Sequence, residues 1–223
     1  MAEQLSFDLP ARAALERDDF FISPSNALAL ALIDRTEHWP NGKLVLIGPE
    51  GAGKTHLASV WAAQTQAQIT QAKDLAAADI DRLAQAPTVV ENLDHIAGDR
   101  SLETALFHLH NLAAANAVPL LVTTRLAPHH LPLALPDLAS RMQAAQIAEL
   151  SAPDDTLLAA VLMKLFADRQ IAPAPDVIPY LTLRIDRSFA AAQRTVAALD
   201  KAAMQSGRKL TRKLAGSVLD NLA

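Results

Sequence analysis

Gly48-Pro49-Glu50-Gly51-Ala52-Gly53-Lys54-Thr55 is the stretch on which the reading of this chain turns. Before it runs Lys43-Leu44-Val45-Leu46-Ile47, short, apolar and rich in β-formers. After it comes His56-Leu57-Ala58-Ser59-Val60-Trp61-Ala62-Ala63, which reads as helix. Strand, glycine-rich turn, lysine, hydroxyl, helix is the order a P-loop requires. The glycines let successive backbone N–H groups turn inward around a phosphate chain, where side chains would obstruct. The helix that follows aims the positive end of its dipole at the same anion. Lys54 is expected to reach the terminal phosphates, and Thr55 to place its hydroxyl on Mg²⁺.

Two further apolar runs end in polar residues. Thr88-Val89-Val90-Glu91-Asn92 reads as a buried strand, and a doubly wound sheet puts its ligand-facing groups at such carboxyl ends. Glu91 is the candidate acid for Mg²⁺, directly or through water, against the alternative of a solvated carboxylate. Val118-Pro119-Leu120-Leu121-Val122-Thr123-Thr124-Arg125 repeats the pattern. Thr124 is either a group that touches a γ-phosphate or its attacking water, or simply a β-former.

The intervening segments read as helices and loops. Ser25 is expected to cap a helix from Asn26 to His38, with another over 74–84. Residues 99–116 carry apolar side chains at helical spacing; His108 and His110, two apart there, point different ways and are read as structural. His129 and His130 sit in a Pro-rich loop expected to face solvent. Leu135-Pro136-Asp137-Leu138-Ala139-Ser140-Arg141 reads as a turn of small and apolar residues with one arginine. Arg141 is either a solvated rim charge or a finger reaching into a neighbour's phosphate site. Gln146 to Leu150 reads as a last strand. Beyond Ser151-Ala152-Pro153 the texture becomes helical, with starts at Asp154 or Asp155, Asp176, Asp186 or Ser188, and Thr211. Arg208, Lys209, Arg212 and Lys213 cluster near the end, as a solvated terminus or as a DNA contact.

Composition sets bounds. The 223 residues are 51% apolar and 20% charged, which fits an ordinary globular chain with one good core, or a core plus a small second one. There is no cysteine, so neither a disulfide framework nor a thiolate metal site is expected. No signal peptide and no membrane span are expected, so the cytoplasm is the expected compartment. The net charge of −4 argues against broad coating of nucleic acid, though a local basic patch stays open.

The order of these parts resembles the AAA+ family, in its Hda-like branch of DnaA-related regulators. Four stretches carry the resemblance. QLSFDLP, from Gln4 to Pro10, is similar to the peptide by which that branch docks on the DNA polymerase sliding clamp. GPEGAGKT is the Walker A loop, VVENLDHIAGD is similar to the Walker B segment, and LPDLASR ends on the arginine-finger position, Arg141. The implied fold is an α/β AAA+ P-loop NTPase, a parallel sheet with helices on both faces followed by a small all-helical lid. The implied division is a clamp-binding segment over 1–10, a nucleotide-binding domain over 11–150 and a lid over 151–223.

The resemblance also implies roles. Gln4, Leu5, Ser6, Phe7 and Leu9 would contact the clamp; on physics alone that run reads first as a frayed or short edge strand. Phe20, Phe21 and Ile22 would wrap the adenine. Gly48, Pro49, Glu50, Gly51, Ala52, Gly53, Lys54, Thr55, His56, Asn92 and Thr124 would bind ADP or ATP, with Thr55 and Glu91 on Mg²⁺. Arg141 would complete the site of DnaA, whose bound ATP is then hydrolysed. DNA would be met mainly through the clamp, with self-association open. Three departures stand out. The metal position is Glu91 rather than Asp. Asn92 replaces an acid and cannot act as a base. Ala190 occupies the place of the sensor-2 arginine, leaving Arg187 or Arg194 as possible substitutes. An autonomous ATPase such as a DnaC-like helicase loader, or a small P-loop kinase, would share the Walker A loop.

Overall fold

A computed structural model describes residues 21–206 and 209–221. The proposed clamp-binding segment and Phe20 lie outside these residues. Five parallel strands form one sheet: β1 (Lys43–Ile47), β2 (Gln68–Gln71), β3 (Thr88–Glu91), β4 (Leu120–Thr124) and β5 (Gln146–Glu149), in the order β2-β3-β4-β1-β5. β1 lies between β4 and β5, with Leu44 opposite Leu121 and Gln146, and it is buried along its whole length. That explains why its sequence is an unbroken apolar run rather than an alternating one.

The pleat of β1 divides the core. Leu44 and Leu46 face one layer, packed on α1 (Ala27–Ile33) and α2 (Lys54–Thr65). Val45 and Ile47 face the other, packed on the α3 segment (Ile80–Leu83), α4 (Arg100–Ala115) and α5 (Pro136–Ala144). The sheet is thus sandwiched, as the α/β expectation required. A third cluster is built by α6 (Asp155–Asp168), α7 (Val177–Thr182), α8 (Phe189–Ser206) and α9 (Arg212–Asp220), around Leu158, Leu162, Phe166, Val196 and Leu199. Its helices start where carboxylates and hydroxyls predicted: Asp154 accepts from Leu157 N at 2.8 Å, and Thr211 from Leu214 N at 3.5 Å.

Some local expectations are corrected. Ser25 does not cap α1. Asn26 holds the N-cap position without a side-chain cap bond, its carboxamide instead accepting from Ser23 N at 2.9 Å. α1 also stops at Ile33, and residues 36–38 make a separate 3-10 turn. The expected helix over 74–84 is broken by extended backbone at Ala78 and Asp79, where Asp79 Oδ1 caps the short α3 from Arg82 N at 3.0 Å. Arg141, read as lying in a turn, is on α5, which Pro136 starts at its first position.

Glu103, on α4, is wholly buried and spends both oxygens on backbone. Oε1 accepts from Gly98 N at 2.7 Å and Ala134 N at 3.0 Å, and Oε2 from Leu135 N at 2.7 Å. It therefore anchors the chain just where α5 begins. Glu103→Leu would strand three buried donors, so we expect a loss of at least about 3 kcal/mol, read as a lowered denaturant midpoint.

Candidate nucleotide site

The P-loop joins the carboxyl end of β1 to α2. Gly51 and Gly53 take φ of +75° and +95°, which a side chain would resist. Gly48 is required for a different reason: a Cβ there would sit 2.5 Å from the Leu150 carbonyl oxygen. Gly48 N donates to the Thr124 carbonyl at 3.3 Å, tying the loop to the end of β4.

Lys54 opens α2 and is 8% exposed. Its Nζ donates to the Gly48 and Pro49 carbonyls at 2.7 and 2.9 Å, so the ammonium lies across the loop's own concavity. Burial lowers its pKa, while the carboxylates of Asp94, Glu50 and Glu91 oppose that shift. Thr55, beside it, is exposed. His56 is half-buried, Ala52 buried, and Pro49 and Glu50 exposed.

The end of β3 supplies the acid. Glu91 is 5% exposed; its Oε2 accepts from Gln71 Nε2 at 2.7 Å, and its buried Oε1 has no hydrogen-bond partner among the described residues. An orphaned carboxylate oxygen at a strand end beside a P-loop suits Mg²⁺ or its water. Asn92 follows in the left-handed region at φ +60°, and its Nδ2 donates to Gln71 Oε1 at 2.8 Å. One side chain, Gln71, thus orients both Glu91 and Asn92 through the β2–β3 pairing. Sequence reasoning missed it, since nothing local to Gln71 signals that it pairs with Glu91.

Thr124 is wholly buried, and its hydroxyl accepts from Leu126 N at 3.3 Å rather than facing outward. The exposed group at this strand end is Arg125, also missed. Its Nε donates to Asp94 Oδ2 at 2.6 Å, and its guanidinium lies 3.9 Å from Glu50 of the P-loop. Burial alone would raise the pKa of Asp94; hydrogen bonds from the Arg125 side chain and backbone outweigh it and hold the carboxyl below its usual range.

The C-terminal helical region meets the loop at the start of α8. Phe189 N donates to the Gly51 carbonyl at 2.9 Å. A Cβ on Gly51 or Gly53 would collide with Ser188 or with the Phe189 ring, at 2.4 and 2.8 Å. Ala190 follows Phe189 directly in the chain. Arg187 is turned away onto α6, 2.8 Å from Asp155, and Arg194 is exposed one turn on. Phe21 and Ile22 are exposed, with the Phe21 carbonyl accepting from Asn26 Nδ2 at 2.9 Å.

Arg141 is not part of this constellation. It projects, exposed, from α5 just ahead of β5 and lines a cavity with Lys43 and Pro119, at the amino ends of β1 and β4. The P-loop is at the opposite edge, a strand's length of roughly 16 Å away. Among the described residues it has no ion-pair partner. His108, His129 and His130 are exposed, and no cluster of three or more metal-ligating side chains occurs among the described residues.

No known protein-family profile matches the chain. Solved structures do. Domain III of the replication initiation protein DnaA from Thermotoga maritima superposes with a TM-score of 0.79 at 17% identity, covering 96% of this chain and 98% of that one. AMPPCP-bound DnaA from Aquifex aeolicus gives 0.72 at 15% identity, over 85% of this chain and 66% of that one. A RuvB structure from Thermotoga maritima gives 0.68 at 16%, over 87% and 66%. At such identity the likeness establishes the fold alone: a five-stranded parallel α/β sheet flanked by helices, with a helical C-terminal region, the architecture the sequence implied. No helix among the described residues is long and apolar enough to cross a membrane.

Proposed function

We propose that this chain is a replication-related AAA+ protein of the Hda-like kind. It holds ADP or ATP with Mg²⁺ in its own P-loop, docks on the sliding clamp through Gln4, Leu5, Ser6, Phe7 and Leu9, and stimulates ATP hydrolysis by DnaA. The observation that carries this reading is the position of Arg141. An exposed arginine without an ion-pair partner among the described residues, a strand's length from its own loop, cannot serve its own nucleotide. It can serve a neighbour's, where a planar charge stabilises the transferring phosphoryl group.

The residues at the P-loop fit a site that holds nucleotide and turns it over slowly. Lys54 and the loop amides would bind phosphates, and Thr55 and Glu91 would hold the metal. When bound, Mg²⁺ would neutralise charge on the phosphate oxygens. Asn92 has no proton-accepting carboxylate, and its amide is committed to Gln71. The lid contributes Phe189 and Ala190 rather than a cation. These substitutions weigh against an autonomous ATPase such as a helicase loader. The bound Aquifex neighbour carries AMPPCP, which supports an adenine nucleotide here.

The deciding experiment is hydrolysis of DnaA-bound ATP with and without DNA-loaded clamp and this protein. Stimulation that needs all components supports the proposal. Fast turnover by the purified protein alone would favour the helicase-loader alternative. A second expectation concerns the clamp: changing Gln4 and Leu5 together to Ala should abolish capture of the clamp in a pull-down. Undiminished capture would leave residues 1–10 as no more than a terminal strand.

A further inference from the structure

At the amino edge of the sheet, opposite the P-loop, a cavity of about 740 Å³ opens between α4, α5 and the 3-10 turns at 36–42. That is in the range of small-molecule sites. Its wall contains Lys43, His110, Asn111, Arg141 and Trp39. Lys43 is 3% exposed and has no carboxylate within ion-pair distance among the described residues. Its Nζ donates once, to the Val118 carbonyl at 3.2 Å. His110 is 6% exposed, and its Nδ1 is buried without a hydrogen-bond partner among the described residues. A buried cation with spare donors, beside a buried imidazole nitrogen without a partner, is costly to keep without a ligand.

We propose that this cavity binds the phosphoryl group of a small free metabolite. A tetrahedral oxyanion presents oxygens in several directions and can accept from the Lys43 ammonium and the Arg141 guanidinium together. A planar carboxylate matches such a divergent donor set less well. Burial pulls Lys43 down to about 8, so it is still charged at neutral pH. Burial and the neighbouring Lys43 and Arg141 charges hold the His110 imidazole below its usual value, with the Asn111 hydrogen bond opposing them. The acid on the wall, Glu37, is largely exposed and pairs with His38 at 3.0 Å, so it leaves the cationic floor unneutralised. The site goes beyond the DnaA reading but shares Arg141 with it, so an anion held here would compete with the finger role.

The chain offers a probe. Trp39 and Trp61, its two tryptophans, stack with centroids 5.3 Å apart, and Trp39 lines the cavity. Inorganic phosphate should change their fluorescence saturably, in the intact chain and in Lys54→Ala, with at least about a tenfold loss of affinity in Lys43→Met. Succinate should bind more weakly. A response lost in Lys54→Ala but kept in Lys43→Met assigns the phosphate to the P-loop and overturns the proposal. So does no response, or one in which succinate equals phosphate. Sulfate, whose charge is constant over the range, supplies a test on the unmodified chain if Lys43→Met does not fold. Its affinity should fall between pH 7 and 9 as Lys43 loses its proton, and a flat profile overturns the assignment. Failure of these tests leaves the clamp and DnaA experiments unaffected.

Discussion

Arg141→Ala should fold, bind nucleotide and fail to accelerate hydrolysis of DnaA-bound ATP. The expected loss is about a thousandfold or more in the stimulated rate, the usual scale for a transferred finger. Folding should survive, because α5 is fixed by other residues. Leu138 and Met142 are its buried contacts, Pro136 starts it, and Glu103 ties down the chain that enters it. An exposed Arg→Ala change on a helix alters stability by about 0.5 kcal/mol or less. Arg141→Lys should rescue little, since an ammonium lacks the planar fork that spans two phosphate oxygens. Unchanged stimulation by Arg141→Ala would end the finger assignment. Loss of stimulation together with loss of nucleotide binding would point to misfolding instead, which the denaturant midpoint resolves.

The parts of the site that are local in sequence were legible in it. The strand, glycine turn and helix around Gly48–Thr55 are contiguous, so the order of residues already dictates backbone that can surround a phosphate. The helix starts at Asp99, Asp154 and Thr211 were equally local, because each caps a backbone amide two or three residues away. What stayed hidden depends on register between distant segments. Gln71 matters because β2 pairs it with Glu91, twenty residues on. Arg125 matters because Asp94, from 31 residues earlier, holds it beside the P-loop. Thr124, one residue before, faces the turn instead, and no spacing rule distinguishes the two. The helix expected over 74–84 failed for another reason. Its alanines favour helix, but the 3-10 turn at 72–77 and extended Ala78 and Asp79 fit the chain between β2 and α4. Tertiary packing overrode a propensity worth only tenths of a kcal/mol per residue.

Lys54→Ala carries the second large effect, on the nucleotide itself. The ammonium now donates to the Gly48 and Pro49 carbonyls, and a phosphate chain entering the loop would take it over. Removing it subtracts a charge-assisted contact in a poorly solvated position. We expect at least about a hundredfold loss of nucleotide affinity, equivalent to about 2.7 kcal/mol, measured by calorimetric titration with ADP and Mg²⁺. The Gly48 carbonyl it leaves is buried and the Pro49 carbonyl half-buried, so stability should also fall, by about 1–3 kcal/mol, read as a lowered denaturant midpoint. Lys54→Arg tests the alternative that charge alone suffices. The slot between loop and lid is closed by Ser188 and Phe189, whose atoms already stand where a Cβ on Gly51 or Gly53 would collide. A bulkier guanidinium should therefore bind nucleotide far more weakly than Lys54 does. Full affinity in Lys54→Ala would mean that the ammonium takes no phosphate, and the role assigned to Lys54 would fall.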